Sequence, residues 1–209
     1  MKEAEHIRIN EIKWDKWAPI ADGKGLKFDY LRSAQSHVIS IAGIKENIHF
    51  LDIGCGTGWA VGQAAKKANK NGTFFGVDLS AKMIDKAQEN FKEFSNIHFI
   101  KANSESIPLD NDLFDIIICT NSFHHYLHPE QVMKEIHRLL KKGGKIFILD
   151  PIADYWYIKV IDKIFRLIEP AHVKIYSSKE FQKLMENKGL KYWGCNSINK
   201  HHKIQIGEK

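Results

Sequence analysis

The segment Asp52-Ile53-Gly54-Cys55-Gly56-Thr57-Gly58 carries the densest chemical signal in the chain. An acidic residue closes a short apolar run, glycine stands at every second position after it, and a helical pattern follows. Glycines let a ligand approach the backbone, and the N–H groups of a helix start lie just beyond. Asp78 closes a second apolar run, Gly76-Val77-Asp78, twenty residues after Gly58. A carboxylate there can accept both hydroxyl hydrogens of a ribose. A dinucleotide fingerprint needs its last glycine at position 59, where this chain has Trp59, and Asp52 would repel a pyrophosphate. An adenosyl ligand with no phosphate and a cationic tail tolerates both features.

A second group follows the most apolar run, Phe114–Cys119: Thr120-Asn121-Ser122-Phe123-His124-His125-Tyr126. His124 and His125 can each act as base toward a hydroxyl, thiol or acidic carbon, since imidazole titrates near pH 6.5. His124 and His128 stand at helical spacing, but no nearby carboxylate completes a ligand set, so no metal is expected. Aromatic residues cluster twice more. Trp14, Trp17, Phe28 and Tyr30 precede the regular part of the chain, and Tyr155, Trp156 and Tyr157 follow it. Trp14, Trp17, Tyr30, Tyr155 and Trp156 are candidates for an apolar wall around an acceptor, against the plainer reading of helix packing. Pro19 and Gly23-Lys24-Gly25 interrupt the first cluster. Residues from about 10 to 30 are therefore expected to form a hinged cover over the acceptor.

These residues need a frame. Short apolar runs at 48–53, 73–77, 97–100, 114–119 and 145–149 read as buried strands. They alternate with helical patterns at 59–69, after Ser80, and from Pro129 to Leu140, the last ended by Gly143-Gly144. Such alternation implies crossover units and a parallel sheet. Beyond 150 come a mixed helix at 155–168, a helix behind the capping box Ser177/Glu180, and two strands at 190–198 and 202–206 joined by a tight polar turn. Those two should form an antiparallel hairpin. The chain is expected to be one domain over 1–209: a helical cap at 1–45, a ligand-binding core at 46–150, and helices with the hairpin at 151–209.

Composition narrows the classes. The 209 residues are 44% hydrophobic and 27% charged, ordinary globular usage. No apolar run approaches the roughly 20 residues of a membrane span, and the charged start MKEAEHIRIN is unlike a secretory signal. Three cysteines at unrelated spacings suit a reducing compartment, and a cytoplasmic protein is expected. Net charge is +6, but 27 of the 31 cations are lysine and they are scattered. That reads as a solvated basic surface rather than a nucleic-acid groove. Nothing in the sequence addresses oligomeric state.

The sequence resembles class I S-adenosylmethionine-dependent methyltransferases, in particular the small-molecule group that includes the ubiquinone/menaquinone-biosynthesis C-methyltransferases. Leu51 to Gly58 matches the family's first motif, and Val77-Asp78-Leu79-Ser80 with Met83 matches the second. Ala102-Asn103-Ser104-Glu105-Ser106-Ile107-Pro108 resembles the adenine-binding segment, with Asn103 where the family usually has Asp. Phe114-Asp115 and the stretch Glu135 to Gly144 resemble the fourth and fifth strand regions. The match covers about residues 48–150.

The resemblance implies a doubly wound, Rossmann-like α/β fold of seven strands, mostly parallel with an antiparallel C-terminal hairpin and helices on both faces. It also implies S-adenosyl-L-methionine as cofactor and a small-molecule acceptor. Asp52, Gly54, Cys55, Gly56 and Gly58 would hold the methionine end, Asp78 the ribose, and Leu79 and Met83 the faces of the adenine. Asn103, Ser104 and Glu105 would meet the adenine edge, and Thr120 and Asn121 would close the cofactor site after the fourth strand. Methyltransferases acting on nucleobase amines resemble one another in an Asn/Asp-Pro-Pro-aromatic tetrapeptide; Thr120-Asn121-Ser122-Phe123 departs from it. A polyamine aminopropyltransferase and a non-catalytic cofactor-binding module are the alternatives on the same fold. The first would want acids where His124 and His125 stand.

Overall fold

Asp52 and Asp78, the two carboxylates singled out above, end neighbouring strands of a single sheet. The computed structural model describes residues 3–209; Met1 and Lys2, the start of the expected cap, lie outside the described residues. Helices α1 (Glu3–Trp17) and α2 (Leu26–Ile41) precede strand β1 (Ile48–Ile53). Then come α3 (Trp59–Lys67), β2 (Gly72–Asp78), α4 (Ala81–Asn90), β3 (Ile97–Lys101), β4 (Phe114–Thr120) and α5 (Pro129–Leu139). Strand β5 (Leu140–Pro151), α6 (Trp156–Ile168), α7 (Ser178–Glu186), β6 (Lys191–Ser197) and β7 (His202–Glu208) complete the chain.

The seven strands lie in the order β3-β2-β1-β4-β5-β7-β6. β1 to β5 pair in parallel, while β7 runs antiparallel to both β5 and β6. The central strands β1 and β4 are buried at nearly every position because both faces are covered. Phe50, Ile116, Ile118, Phe147 and Leu149 join α2 and α3 in one core. Leu51, Ile53, Ile117, Cys119, Ile146 and Ile148 join α5 and α7 in the other. Adjacent residues thus serve opposite layers, and the period of two along each strand holds the register. The order reverses between β1 and β4, so a crevice opens beyond their carboxyl ends.

One boundary differs from the sequence expectation. Helix α5 stops at Leu139, and Leu140 already pairs with Phe114 in the sheet. Gly143-Gly144 does not end a helix. It lies within β5, where the register against β4 shifts between Phe114 and Ile116, and Gly143 takes a positive φ of 79°. The glycines absorb an irregularity in the strand. Helix α7 begins as expected: Ser177 Oγ accepts from the Glu180 N–H, and the Glu180 carboxylate accepts from the Ser177 N–H.

Asp52 is fully buried at the end of β1, and both its carboxylate oxygens lack a hydrogen-bond partner. Burial, reinforced by the nearby charge of Asp78, raises its pKa from 3.8 to about 8. The native state therefore keeps a proton that the unfolded chain releases near 3.8. The stability tied to this group is full below 3.8, falls as pH rises, and is lost above about 8. Asp52→Asn imitates the protonated form. Relative to the parent, it should gain unfolding free energy steadily between pH 5 and 8, read by urea denaturation. A constant difference across that range would show that Asp52 ionises normally.

Candidate active site

A cavity of about 270 Å³ occupies the crevice where the strand order reverses. Its floor is built from strand ends: Gly54 to Thr57 after β1, Asp78 and Leu79 after β2, Asn103 to Glu105 after β3, and Thr120 to Ser122 after β4. Met83 of α4 and His125 lie at its sides. The roof comes from the N-terminal helices, with Ile7, Asn10 and Trp14 of α1 and Phe28, Leu31, Arg32 and Gln35 of α2.

The three glycines of the first loop have different tasks. All take positive φ, 76° at Gly54, 53° at Gly56 and 81° at Gly58. A Cβ on Gly54 would lie 2.3 Å from Ser122 Oγ, and one on Gly58 would lie 2.5 Å from the Phe99 ring. Those two are bare because other parts of the protein press against them. A Cβ on Gly56 would meet nothing within 4 Å; its open side is the side a ligand can use. The Gly56 N–H donates to Asp78 Oδ2 (2.9 Å), and the Ser80 N–H donates to Asp78 Oδ1 (2.9 Å). These bonds hold the carboxylate in place. Burial raises its pKa, and the same N–H groups oppose the rise. In Asn103 the side-chain oxygen accepts from the Glu105 N–H (3.0 Å). The amide N–H₂ remains to face a ligand.

The paired histidines are turned to different partners by a 3-10 turn at Phe123–His125. The Nδ1–H of His125 donates to the Ala171 carbonyl (2.7 Å), which leaves the Nε2 lone pair as the acceptor. His125 is buried and lines the cavity, with Trp14 packed edge-on at 5.2 Å. Burial first, and then the neighbouring His124, hold its pKa well below 6.5, so the ring is neutral at pH 7. His124 does not line the cavity. Its Nδ1 pairs with the buried Asp150 (2.9 Å), and its ring lies 4.1 Å from that of His125.

The roof is fastened by polar contacts. The buried residues of α1 are His6 and Asn10. His6 Nε2–H donates to the His125 carbonyl (2.8 Å). Asp15 accepts from Ser80 Oγ (2.5 Å). Past α1, Asp22 accepts from Thr57 Oγ1 (2.6 Å) and Asn90 Nδ2 (3.0 Å). In α2, Gln35 Nε2 donates to Thr120 Oγ1 (2.9 Å).

Of the residues read from sequence as cofactor contacts, Gly54, Cys55, Gly56, Asp78, Leu79, Met83, Asn103, Ser104, Glu105, Thr120 and Asn121 all line this cavity. Asp52 and Gly58 lie beneath the loop instead. Of the aromatic candidates Trp14 lines the cavity, and Trp17 packs 6.5 Å from it. Tyr30 accepts from Asn199 on the β6–β7 turn, Tyr155 stacks on Tyr157, and Trp156 is 77% exposed. These last three are away from the cavity. Sequence reasoning missed His6, Asn10, Arg32 and Gln35, single polar residues in helices, and Asp22, in the turn ahead of α2, with no motif around any of them. Ser122 and Tyr126 belong to the segment after the fourth strand that the sequence places at the site, but the sequence assigns them no role; their hydroxyls share a hydrogen bond (2.8 Å). Glu3, Glu105 and His128 bring possible ligand atoms within 4.8 Å of one another at the rim; Glu3 and His128 are exposed there. His124 is occupied by Asp150, so the His124–His128 pairing does not form.

Several known proteins are similar to this chain. Over 166 residues it is 28% identical to an uncharacterized methyltransferase, YcgJ, of Bacillus subtilis (strain 168), covering 78% of this chain and 64% of the relative. Over 169 residues it is 28% identical to the demethylmenaquinone methyltransferase of the same organism, covering 78% of this chain and 72% of that enzyme. The chain thus spans just under two thirds of the first relative's length. In fold it is similar to geranyl diphosphate C-methyltransferase from Streptomyces coelicolor A3(2), solved with Mg²⁺, geranyl diphosphate and S-adenosyl-L-homocysteine. There the TM-score is 0.76 at 13% identity, with 99% of each chain covered. Residues 44–189 match the methyltransferase-domain family, which is most of the chain and contains the whole strand-end floor of the cavity, and the protein belongs to that family.

Proposed function

We propose that the chain moves a methyl group from S-adenosyl-L-methionine to a small, largely apolar acceptor, with His125 as the base. The observation that carries this reading is one continuous cavity that joins Gly56, Asp78 and Asn103 to His125 under an aromatic roof. The residues suit the cofactor. Asp78 offers its remaining lone pairs to the ribose hydroxyls. The Asn103 amide N–H₂ can donate to an adenine ring nitrogen, with Leu79 and Met83 against the ring faces. The Asp78 carboxylate, with the partnerless Asp52 carboxyl beneath the loop ready to lose its proton to a nearby cation, favours a ligand with a cationic tail and disfavours a pyrophosphate.

Methyl transfer is an in-line displacement, so the protein must align acceptor and donor and keep water out. Trp14, Phe28 and Leu31 exclude water from the roof side. His125 Nε2 receives the acceptor's proton while Ala171 holds the ring by the other nitrogen. His124 packs against that ring at 4.1 Å and helps to hold its pKa down.

S-adenosyl-L-homocysteine titrated into the protein should bind, and NAD should not. Asp78→Ala should weaken that binding by roughly 1.5–3 kcal/mol; an unchanged affinity would put the ribose elsewhere.

With a labelled methyl donor and a panel of phenolic, thiol and activated-carbon acceptors, His125→Ala should lose roughly 10²–10⁴-fold in turnover and keep its affinity for S-adenosyl-L-homocysteine. Because His125 titrates below 6.5, turnover should stay level from neutral pH down through 6.5 and fall only at more acid pH. A fall centred at or above 6.5 would point to another base.

The polar fastenings of the roof should open in the free protein and close over ligand. Trypsin should therefore cut at the exposed Lys24, between Gly23 and Gly25, faster in the free protein than with S-adenosyl-L-homocysteine and an acceptor bound. Equal rates in both states would mean that the roof is fixed.

A further inference from the structure

Helix α6 faces the domain with an acid rather than with its apolar side chains. Asp162 is its buried residue. The Asp162 carboxylate accepts from the Ile175 N–H (2.7 Å) and from His172 Nε2 (2.8 Å), and it pairs with Arg166. The apolar side chains stand in water instead: Trp156 is 77% exposed and Leu167 85%, and Val160, Ile161, Ile164, Phe165 and Ile168 are exposed as well. At about 100° per residue, Trp156, Leu167, Val160 and Ile164 share one side, and Ile168, Ile161 and Phe165 continue it. Lys163, Lys159 and Arg166 form the flank next to Trp156. Asp162, the helix's single acid, points the other way.

We propose that α6 is a docking helix for an anionic lipid surface, lying in the plane of the headgroups with its apolar side among the acyl chains. Two features favour this occupant. An exposed apolar side flanked by cations, with Trp at its border, is the pattern of helices that lie on membranes. The only carboxylate of the helix is turned toward the domain and pairs with Arg166, so the charge that the flank presents is that of Lys159 and Lys163, which complements an anionic headgroup layer. An antiparallel two-fold pairing of the helix with its own copy would bring its cationic flanks together. No helix among the described residues is long and apolar enough to cross a membrane, so the association would be peripheral. Glu169, directly after α6, pairs with Lys13 of α1 (3.2 Å). Docking would therefore bring the roof of the cavity to the lipid surface. The docking itself does not depend on the methyl-transfer reading.

The test is co-sedimentation of the full chain with vesicles of phosphatidylcholine alone and of phosphatidylcholine with phosphatidylglycerol, with Trp fluorescence followed in parallel. Binding should require phosphatidylglycerol, weaken with added salt, and shift the emission to the blue. Lys159→Gln with Lys163→Gln should weaken it roughly 25-fold, about fivefold per lysine. Ile164→Glu with Leu167→Glu should abolish it, with circular dichroism confirming that both variants fold. Failure to bind either vesicle would overturn the proposal. So would equal binding to both, or a concentration-dependent dimer that Ile164→Glu with Leu167→Glu dissociates while vesicle binding is absent.

Discussion

The turn after β1 and the turn after β4 meet at van der Waals distance, and the rest of the site depends on that contact. A Cβ on Gly54 would sit 2.3 Å from Ser122 Oγ. With the glycine in place, Ser122 Oγ reaches the Ile53 carbonyl (3.3 Å) and the Tyr126 hydroxyl (2.8 Å), and Cys119 Sγ joins them at 3.2 Å from Ser122 Oγ. This buried set of small polar groups ties the end of β1 to the segment that carries the histidines. It sets the distance between the half of the cavity that can hold a nucleoside and the half that holds a base. Any side chain at Gly54 would widen that distance whatever its chemistry.

Above this contact the electrostatics are one-sided. Asp52 and Asp78 end adjacent strands, and neither has a cationic side chain among its hydrogen-bond partners. Asp78 is held by the Gly56 and Ser80 N–H groups, while the oxygens of Asp52 have no partner at all. A buried carboxylate without a partner either keeps a proton or waits for a positive charge. The free protein takes the first course, and a ligand with a cationic tail would permit the second. The same two groups would make the binding of a pyrophosphate costly, which agrees with Trp59 in place of the dinucleotide glycine.

What could be read from the sequence was local or periodic. The strand runs, the helix caps at Ser80 and Ser177, the glycine loop and Asp78 each carry their signal within a few residues, and each is found where the pattern put it. Gly143-Gly144 misled because a glycine pair serves a strand irregularity as readily as a helix stop. The glycines of the first loop were seen, but their division of labour was not, since Ser122 and Phe99 are distant in sequence. His124 and His125 are chemically identical in a sequence. Only the 3-10 turn, with Asp150 on one ring and Ala171 on the other, distinguishes them. The roof was legible in outline through Trp14, but its fastenings are single polar residues, such as Asp22 and Gln35, whose partners lie 35 and 85 positions away.

Helix α6 inverts the usual use of amphipathicity, and its mounting explains how such a helix stays attached. An apolar side turned to water contributes little to holding the helix against the domain, so the attachment falls to Asp162 together with the ring contacts of Tyr157 with His201 and of Phe165 with His172. The bonds of Asp162 to His172 and the Ile175 N–H fix the loop that follows the helix. That loop includes Ala171, whose carbonyl holds the His125 ring. Its backbone N–H groups at Val173 and Lys174 also donate to the His124 carbonyl (2.9 and 3.1 Å). One carboxylate therefore anchors the exposed helix and the support of the base together. The position of α6 on its surface and the orientation of His125 in the cavity are thus joined through one run of hydrogen bonds, from Asp162 through the loop at 171–175 to the His125 ring.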